Sequence, residues 1–199
     1  MRLFATALAA VVMAAGPGAR AAGETRRDEP KAEAPAPQTP AEVRADIYAR
    51  LAASKDADET EGLVGLLLVG YQRSGSDTVE LLLERAHKAI VAQDNGAAER
   101  ILDAAVAFMP EDAEVWNARA TLRFVVDDAD GSMADIAETL KREPRHLGAL
   151  MGMASILQSR DKKKEALEVY QRTLAIAPHW KAAEEAADKL RAAIAGQAL

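Results

Sequence analysis

Three histidines are the residues of this 199-residue chain best suited to hold a metal or to move a proton near neutral pH, and their spacing argues against both. His87, His146 and His179 are far apart, none belongs to an H-E-x-x-H or comparable ligand set, and the chain has no cysteine. No G-x-S-x-G elbow and no phosphate-cradling glycine loop occurs. Acidic pairs such as Asp127 and Asp128 fall where a turn needs capping oxygens, not beside a base. The sequence therefore predicts no catalytic residue, no metal site, no cofactor and no enzymatic activity. Acidic residues outnumber basic ones 31 to 25 without a concentrated basic stripe, so the electrostatic term that dominates phosphate-backbone binding is missing and nucleic acid is not expected as a partner. The short run Lys162 to Lys164 alternates into Glu165 and Glu168, as a solvated helix face does.

What remains is recognition by a surface, and a fixed interval says which elements build it. Pro110, Pro144 and Pro178 stand 34 residues apart, and Ala86, Ala120 and Ala154 keep the same spacing. A period of this length marks a solenoid, in which each short unit buries its apolar face only by stacking on its neighbours. Around the first units, residues 79 to 92 carry apolar side chains at Leu82, Ala86, Ala89 and Ile90, and residues 96 to 109 at Ala98, Ile101, Leu102, Ala105 and Phe108. Spacings of three and four predict two amphipathic helices. Asp94, Asn95 and Gly96 supply the turn between them, and Asp127 to Gly131 and Arg160 to Lys163 repeat it. The prolines end each pair, because they lack an N–H and disfavour a helical residue before them.

These columns resemble the tetratricopeptide repeat family, whose unit of helix, turn and helix carries a W-x2-L-G-x2-Y…A-x3-F…P pattern. The large residue of each first helix is Leu82, Trp116 or Leu150, with the small residue four places on at Ala86, Ala120 or Ala154. The A-x3-F element reads Ala98 to Leu102, Ser132 to Ile136 and Ala166 to Tyr170, and Val106, Leu140 and Leu174 precede the prolines. The resemblance implies an all-α, α-solenoid fold of antiparallel helix pairs, with full repeats at 79–112, 113–146 and 147–180. It also implies a concave surface built mainly by the first helices: Leu83, His87 and Ile90 in unit one, Asn117, Thr121 and Phe124 in unit two, and Met151, Ser155 and Gln158 in unit three. Apolar members of that set could seat side chains of an extended or helical peptide, while the amide and hydroxyl members could hydrogen-bond its backbone. The alternative is an ordinary solvent-facing helix surface. Some relatives grip a C-terminal carboxylate with lysine, asparagine and arginine, but these nine positions hold one asparagine and neither lysine nor arginine, so that clamp is not expected. Arg85, Arg119 and Arg123 depart from the packing columns, and their stems are expected to cover apolar surface while the heads reach water or a carboxylate.

The remaining segments frame the repeats. Arg2, an uncharged run from Leu3 to Ala15, and the small-x-small triplet Ala19, Arg20, Ala21 predict a cleavable signal peptide over 1–21, and hence a periplasmic or secreted protein. The run is short for a membrane span, so no integral membrane segment is expected once the leader is removed. Residues 22–41, with Pro30, Pro35, Pro37 and Pro40 and no large apolar side chain, read as a disordered Pro/Ala-rich linker. Residues 42–76 fit the period poorly and read as a degenerate helical pair, with Asp56 and Glu59 forming a capping box and Leu63 to Tyr71 buried on nearly all sides. Residues 181–199 read as a capping helix and tail, with Trp180 a core plug. The function these features predict is a non-enzymatic scaffold or adaptor for a protein or peptide partner, assisting envelope or secreted protein assembly. A membrane-surface adaptor using the Leu63 to Tyr71 helix, or an accessory factor of an enzyme complex, are the alternatives.

Overall fold

The structure is a computed structural model that describes residues 39–196; the expected leader and nearly all of the linker lie outside the described residues. Every regular element among the described residues is an α-helix: α1 (Pro40–Ala53), α2 (Ala57–Tyr71), α3 (Asp77–Val91), α4 (Asn95–Phe108), α5 (Ala113–Val125), α6 (Ala129–Arg142), α7 (Leu147–Ser159), α8 (Lys163–Ile176) and α9 (Lys181–Gly196). Side-chain caps start most of them. Thr39 and Glu42 form a reciprocal capping box on α1, while Asp94, Asp112 and Asp128 accept from backbone N–H groups of α4, α5 and α6. Asp56 likewise accepts from Glu59 N–H, but the Glu59 carboxylate turns to the Lys55 N–H, so the expected box at α2 closes one residue early.

The 34-residue interval is written in the backbone as well as in the side chains. Gln93, Asp127 and Asp161 all adopt left-handed φ, at 60°, 65° and 57°, at the turn from the first helix of a unit to the second. The following N–H, of Asp94, Asp128 or Lys162, then reaches back to the carbonyl of Ala89, Arg123 or Leu157, five residues earlier. At the other end of each unit, α4, α6 and α8 stop immediately before the residue that precedes Pro110, Pro144 or Pro178.

Helices pair in sequence, α3 with α4, α5 with α6 and α7 with α8, and each pair stacks on the next through α4 on α5 and α6 on α7. The molecule is an all-α solenoid. Ala86, Ala120 and Ala154 are buried where helices cross, which is why a small side chain recurs there, and Ala98, Ser132 and Ala166 are buried opposite them. Ser132 is satisfied by donating its hydroxyl to the Ala120 carbonyl at 2.9 Å. α9 packs on α8 with Ala183, Ala187 and Leu190, and Trp180 is buried at their junction.

The N-terminal hairpin departs from a stacked cap. α3 packs on α4 and α5, whereas the apolar face of α1 and α2 joins one cluster with α7, α8 and α9. Hydrogen bonds fix the path. Thr60 Oγ1 donates to the Pro178 carbonyl at 2.7 Å and Glu61 accepts from Lys181 N–H at 3.2 Å, while at the far end of α2 the Tyr71 hydroxyl accepts from Leu147 N–H at 3.2 Å. α2 therefore runs as a strap along the edge where α9 and α7 begin, before the chain enters α3. This placement corrects the expectation that Leu63 to Tyr71 is buried on nearly all sides. Leu63, Val64, Leu67 and Tyr71 are buried, but Leu66, Leu68 and Val69 face outward.

Candidate functional site

A groove of about 660 Å³ lies between α3 and α5, and five of the sequence-predicted residues line it: Leu83, His87 and Ile90 from α3, Asn117 and Thr121 from α5. Spacings of four and three place each set on one face of its helix. The buried Leu102 of α4 lies beneath, and Val69, Gln72 and Arg73 at the end of the α2 strap form a wall. Thr121 donates its hydroxyl to the Asn117 carbonyl at 2.9 Å and Asn117 Nδ2 donates to Glu114 at 3.2 Å. Among the described residues no donor reaches Asn117 Oδ1, and Asn117 is one of the residues that line the groove. The mouth carries Leu81, 45% exposed, and Val69, 63% exposed.

The other four predicted residues lie outside this groove. Phe124 is exposed near the C-terminal end of α5. Met151 is partly buried against the apolar cluster that the hairpin joins, and Ser155 on the same helix is partly buried as well. Gln158 is exposed and accepts from the Tyr170 hydroxyl of α8 at 3.2 Å. The structure thus brings together the three inner residues of unit one with Asn117 and Thr121 of unit two, and leaves Phe124 and the residues of unit three outside.

Two polar clusters escaped the sequence reading. His146, buried at the start of α7, accepts from Ala149 N–H on Nδ1 at 3.1 Å; the ring proton is then on Nε2, which donates to Glu114 at 3.0 Å. Tyr71 stacks on the imidazole with ring centroids 3.9 Å apart and bonds to the Tyr48 hydroxyl, which also donates to the Arg145 carbonyl at 2.9 Å. Burial pushes the Tyr71 phenol up to about 12 and raises Tyr48 as well, so both remain protonated at neutral pH. With every group engaged and no nucleophile among them, this is a joint between the hairpin and the stack. In the second cluster Asp135 is buried, with Arg119 bidentate on its two oxygens at 2.9 Å each and Arg123 at 2.7 Å. Two of the three arginines of the packing columns, Arg119 and Arg123, therefore reach a carboxylate, and Arg119 also lies 5.0 Å from the Trp116 ring centroid. A periodic aspartate would have been the signal, but Asp135 has no counterpart at residues 101 or 169, which are Ile and Val.

The groove can hold a segment of polypeptide: an apolar floor, an amide and a hydroxyl on one wall, and carboxylates at the rim. Among the described residues no cluster of three His, Asp or Glu could hold a metal, and no helix is long and apolar enough to cross a membrane. No protein-family model matches the chain. Two solved structures share its fold at 18% identity each. One is the first TPR of Spaghetti (RPAP3) bound to the HSP90 peptide SRMEEVD, with a TM-score of 0.56 over 60% of this chain and 95% of that one. The other is the TPR domain of Arabidopsis OM64, with a TM-score of 0.54 over 58% of this chain and 95% of that one. In sequence, a TPR repeat-containing protein of Rhizobium etli is 39% identical over 150 residues, which are 75% of this chain and 74% of that protein. Periodic columns, stacked helix pairs and this relative agree, and the chain belongs to the TPR repeat family of proteins.

Proposed function

We propose that this protein is a non-enzymatic scaffold of the periplasm that holds a segment of a partner protein in the groove between α3 and α5 and assists assembly of envelope or secreted proteins. The observation that carries the reading is the convergence of Leu83, His87, Ile90, Asn117 and Thr121 on one groove that remains open beside the α2 strap. Peptide side chains would seat on the apolar floor, and a backbone N–H would donate to Asn117 Oδ1. The solved TPR of Spaghetti is bound to a peptide with two glutamates and a terminal aspartate. Here the same kind of sequence would meet Asp77, Glu80, Glu84 and Glu114, so a different partner chemistry is required. Export rests on the leader read from residues 1–21, and a mature N-terminus at Ala22 is the expected result of sequencing the purified protein. A chain that starts at Met1 in the cytoplasm would refute it.

Affinity capture from an envelope extract tests the groove. The wild-type chain should retain a defined set of proteins that a His87→Ala/Asn117→Ala/Thr121→Ala variant loses; equal capture by both would exclude this surface. A second reading, adsorption to a membrane surface, is favoured by the outward Leu66, Leu68 and Val69 of α2. It predicts retention on anionic liposomes that Leu66→Ser/Val69→Ser abolishes, whereas the scaffold reading predicts no retention.

A further inference from the structure

The charges at the groove extend the scaffold reading and rest on it, by naming the chemistry of the segment that fits. Four carboxylates line the groove, Asp77, Glu80 and Glu84 on α3 and Glu114 on α5, against one guanidinium, that of Arg73. Arg73 is already neutralised by Glu80 at 3.1 Å. Glu114 is occupied by the imidazole N–H of His146 and by Asn117 Nδ2. Asp77 forms no ion pair among the described residues. Glu84 is bridged only by Lys88 of its own helix, with both side chains more than half exposed, so a second cation can join or replace that lysine at little cost.

Asp77 and Glu84 are seven residues apart on α3, two turns and roughly 10 Å along one face, and the exposed Leu81 stands between them. Leu81 and Val69 of the strap both line the mouth as exposed apolar side chains. We infer that the groove takes a basic, apolar-anchored segment of a partner protein: a large apolar side chain seated on Val69 and Leu81, with lysines or arginines roughly 10 Å apart meeting Asp77 and Glu84. That distance is about three residues of extended chain or two turns of helix. The negative rim also speeds encounter with a cationic segment and repels acidic ones.

A phage library of random dodecapeptides selected against the full chain tests this. Enriched peptides should be net positive with at least one large apolar residue. A synthetic copy of the best one should bind roughly tenfold more weakly to Asp77→Asn/Glu84→Gln, and to the wild type when salt is raised from about 20 to about 300 mM. Leu81→Asp, placed on an exposed side chain so that folding is retained as judged by circular dichroism, should abolish binding. Peptides that are neutral or acidic, or indifferent to Asp77→Asn/Glu84→Gln, but still lost in Leu81→Asp, would overturn the charge inference and leave the groove intact. No enrichment, or peptides indifferent to Leu81→Asp, would overturn the groove itself.

Discussion

At the scale of single residues, Asp135 shows how the second repeat tolerates arginines where its packing columns call for apolar side chains. A buried carboxylate with a bidentate Arg119 and a second contact from Arg123 is stable only as a set, because removing one member strands charge in a poorly solvated place. Asp135→Asn should lower stability by about 2–3 kcal/mol, less than for a fully buried pair because both arginines retain access to water. Asp103, the exposed partner of Arg119, should cost under about 1 kcal/mol when changed to Ala. Urea denaturation of the two variants checks the contrast, and equal losses would contradict it. Tyr71 gives a pH signature. Its folded value of about 12 lies above the ordinary 10, so the stability it contributes is intact below pH 10 and falls as pH rises toward 12. Urea midpoints at pH 8, 10 and 11.5 should show that decline, and Tyr71→Phe should make it shallower.

At the scale of elements, the helix pairs were legible because a small residue must stand where helices cross: Ala86, Ala120 and Ala154 announce their own burial. The left-handed turns were not legible by residue type, since Gln93, Asp127 and Asp161 are not glycines, though they share the 34-residue interval. A side chain at positive φ costs roughly 1–2 kcal/mol, partly offset in a glycine variant by its freer unfolded chain. Gln93→Gly should therefore stabilise the protein by about 0.5–1 kcal/mol in thermal melts, and a loss of stability would mean that the Gln93 side chain has a role the turn geometry does not explain. α2 illustrates the opposite limit. Its composition suggests burial all round, but which side is covered depends on Arg145, Leu147 and Pro178, more than 70 residues away, and no local pattern encodes that docking. The same docking explains the site. The interval proposes inner residues in all three units, but Met151 packs against the cluster that the hairpin joins, and among the described residues the groove between α3 and α5 takes its predicted lining from units one and two.

At the scale of the whole molecule, the strap changes the physics expected of a repeat array. A solenoid held only by neighbour contacts loses cooperativity as units unfold separately. Here Tyr48 bonds to Arg145 at the end of the second repeat, Tyr71 and Thr60 to Leu147 and Pro178 of the last repeat, and Glu61 to Lys181 of the cap, so the N-terminal hairpin is coupled to the far end of the stack. Removing residues 39–71 should expose the apolar surface around Leu147 and Trp180, lower the melting temperature and broaden the transition; an unchanged, equally sharp transition would show that the hairpin is only an appendage. The central claim is that a partner lies between α3 and α5. A photo-crosslinking amino acid at His87 or Thr121 in the groove, compared with one at the exposed Glu168 of α8, tests it most directly in living cells. Adducts to a discrete partner from positions 87 and 121 but not from 168 are the predicted result, and adducts from 168 alone would contradict it.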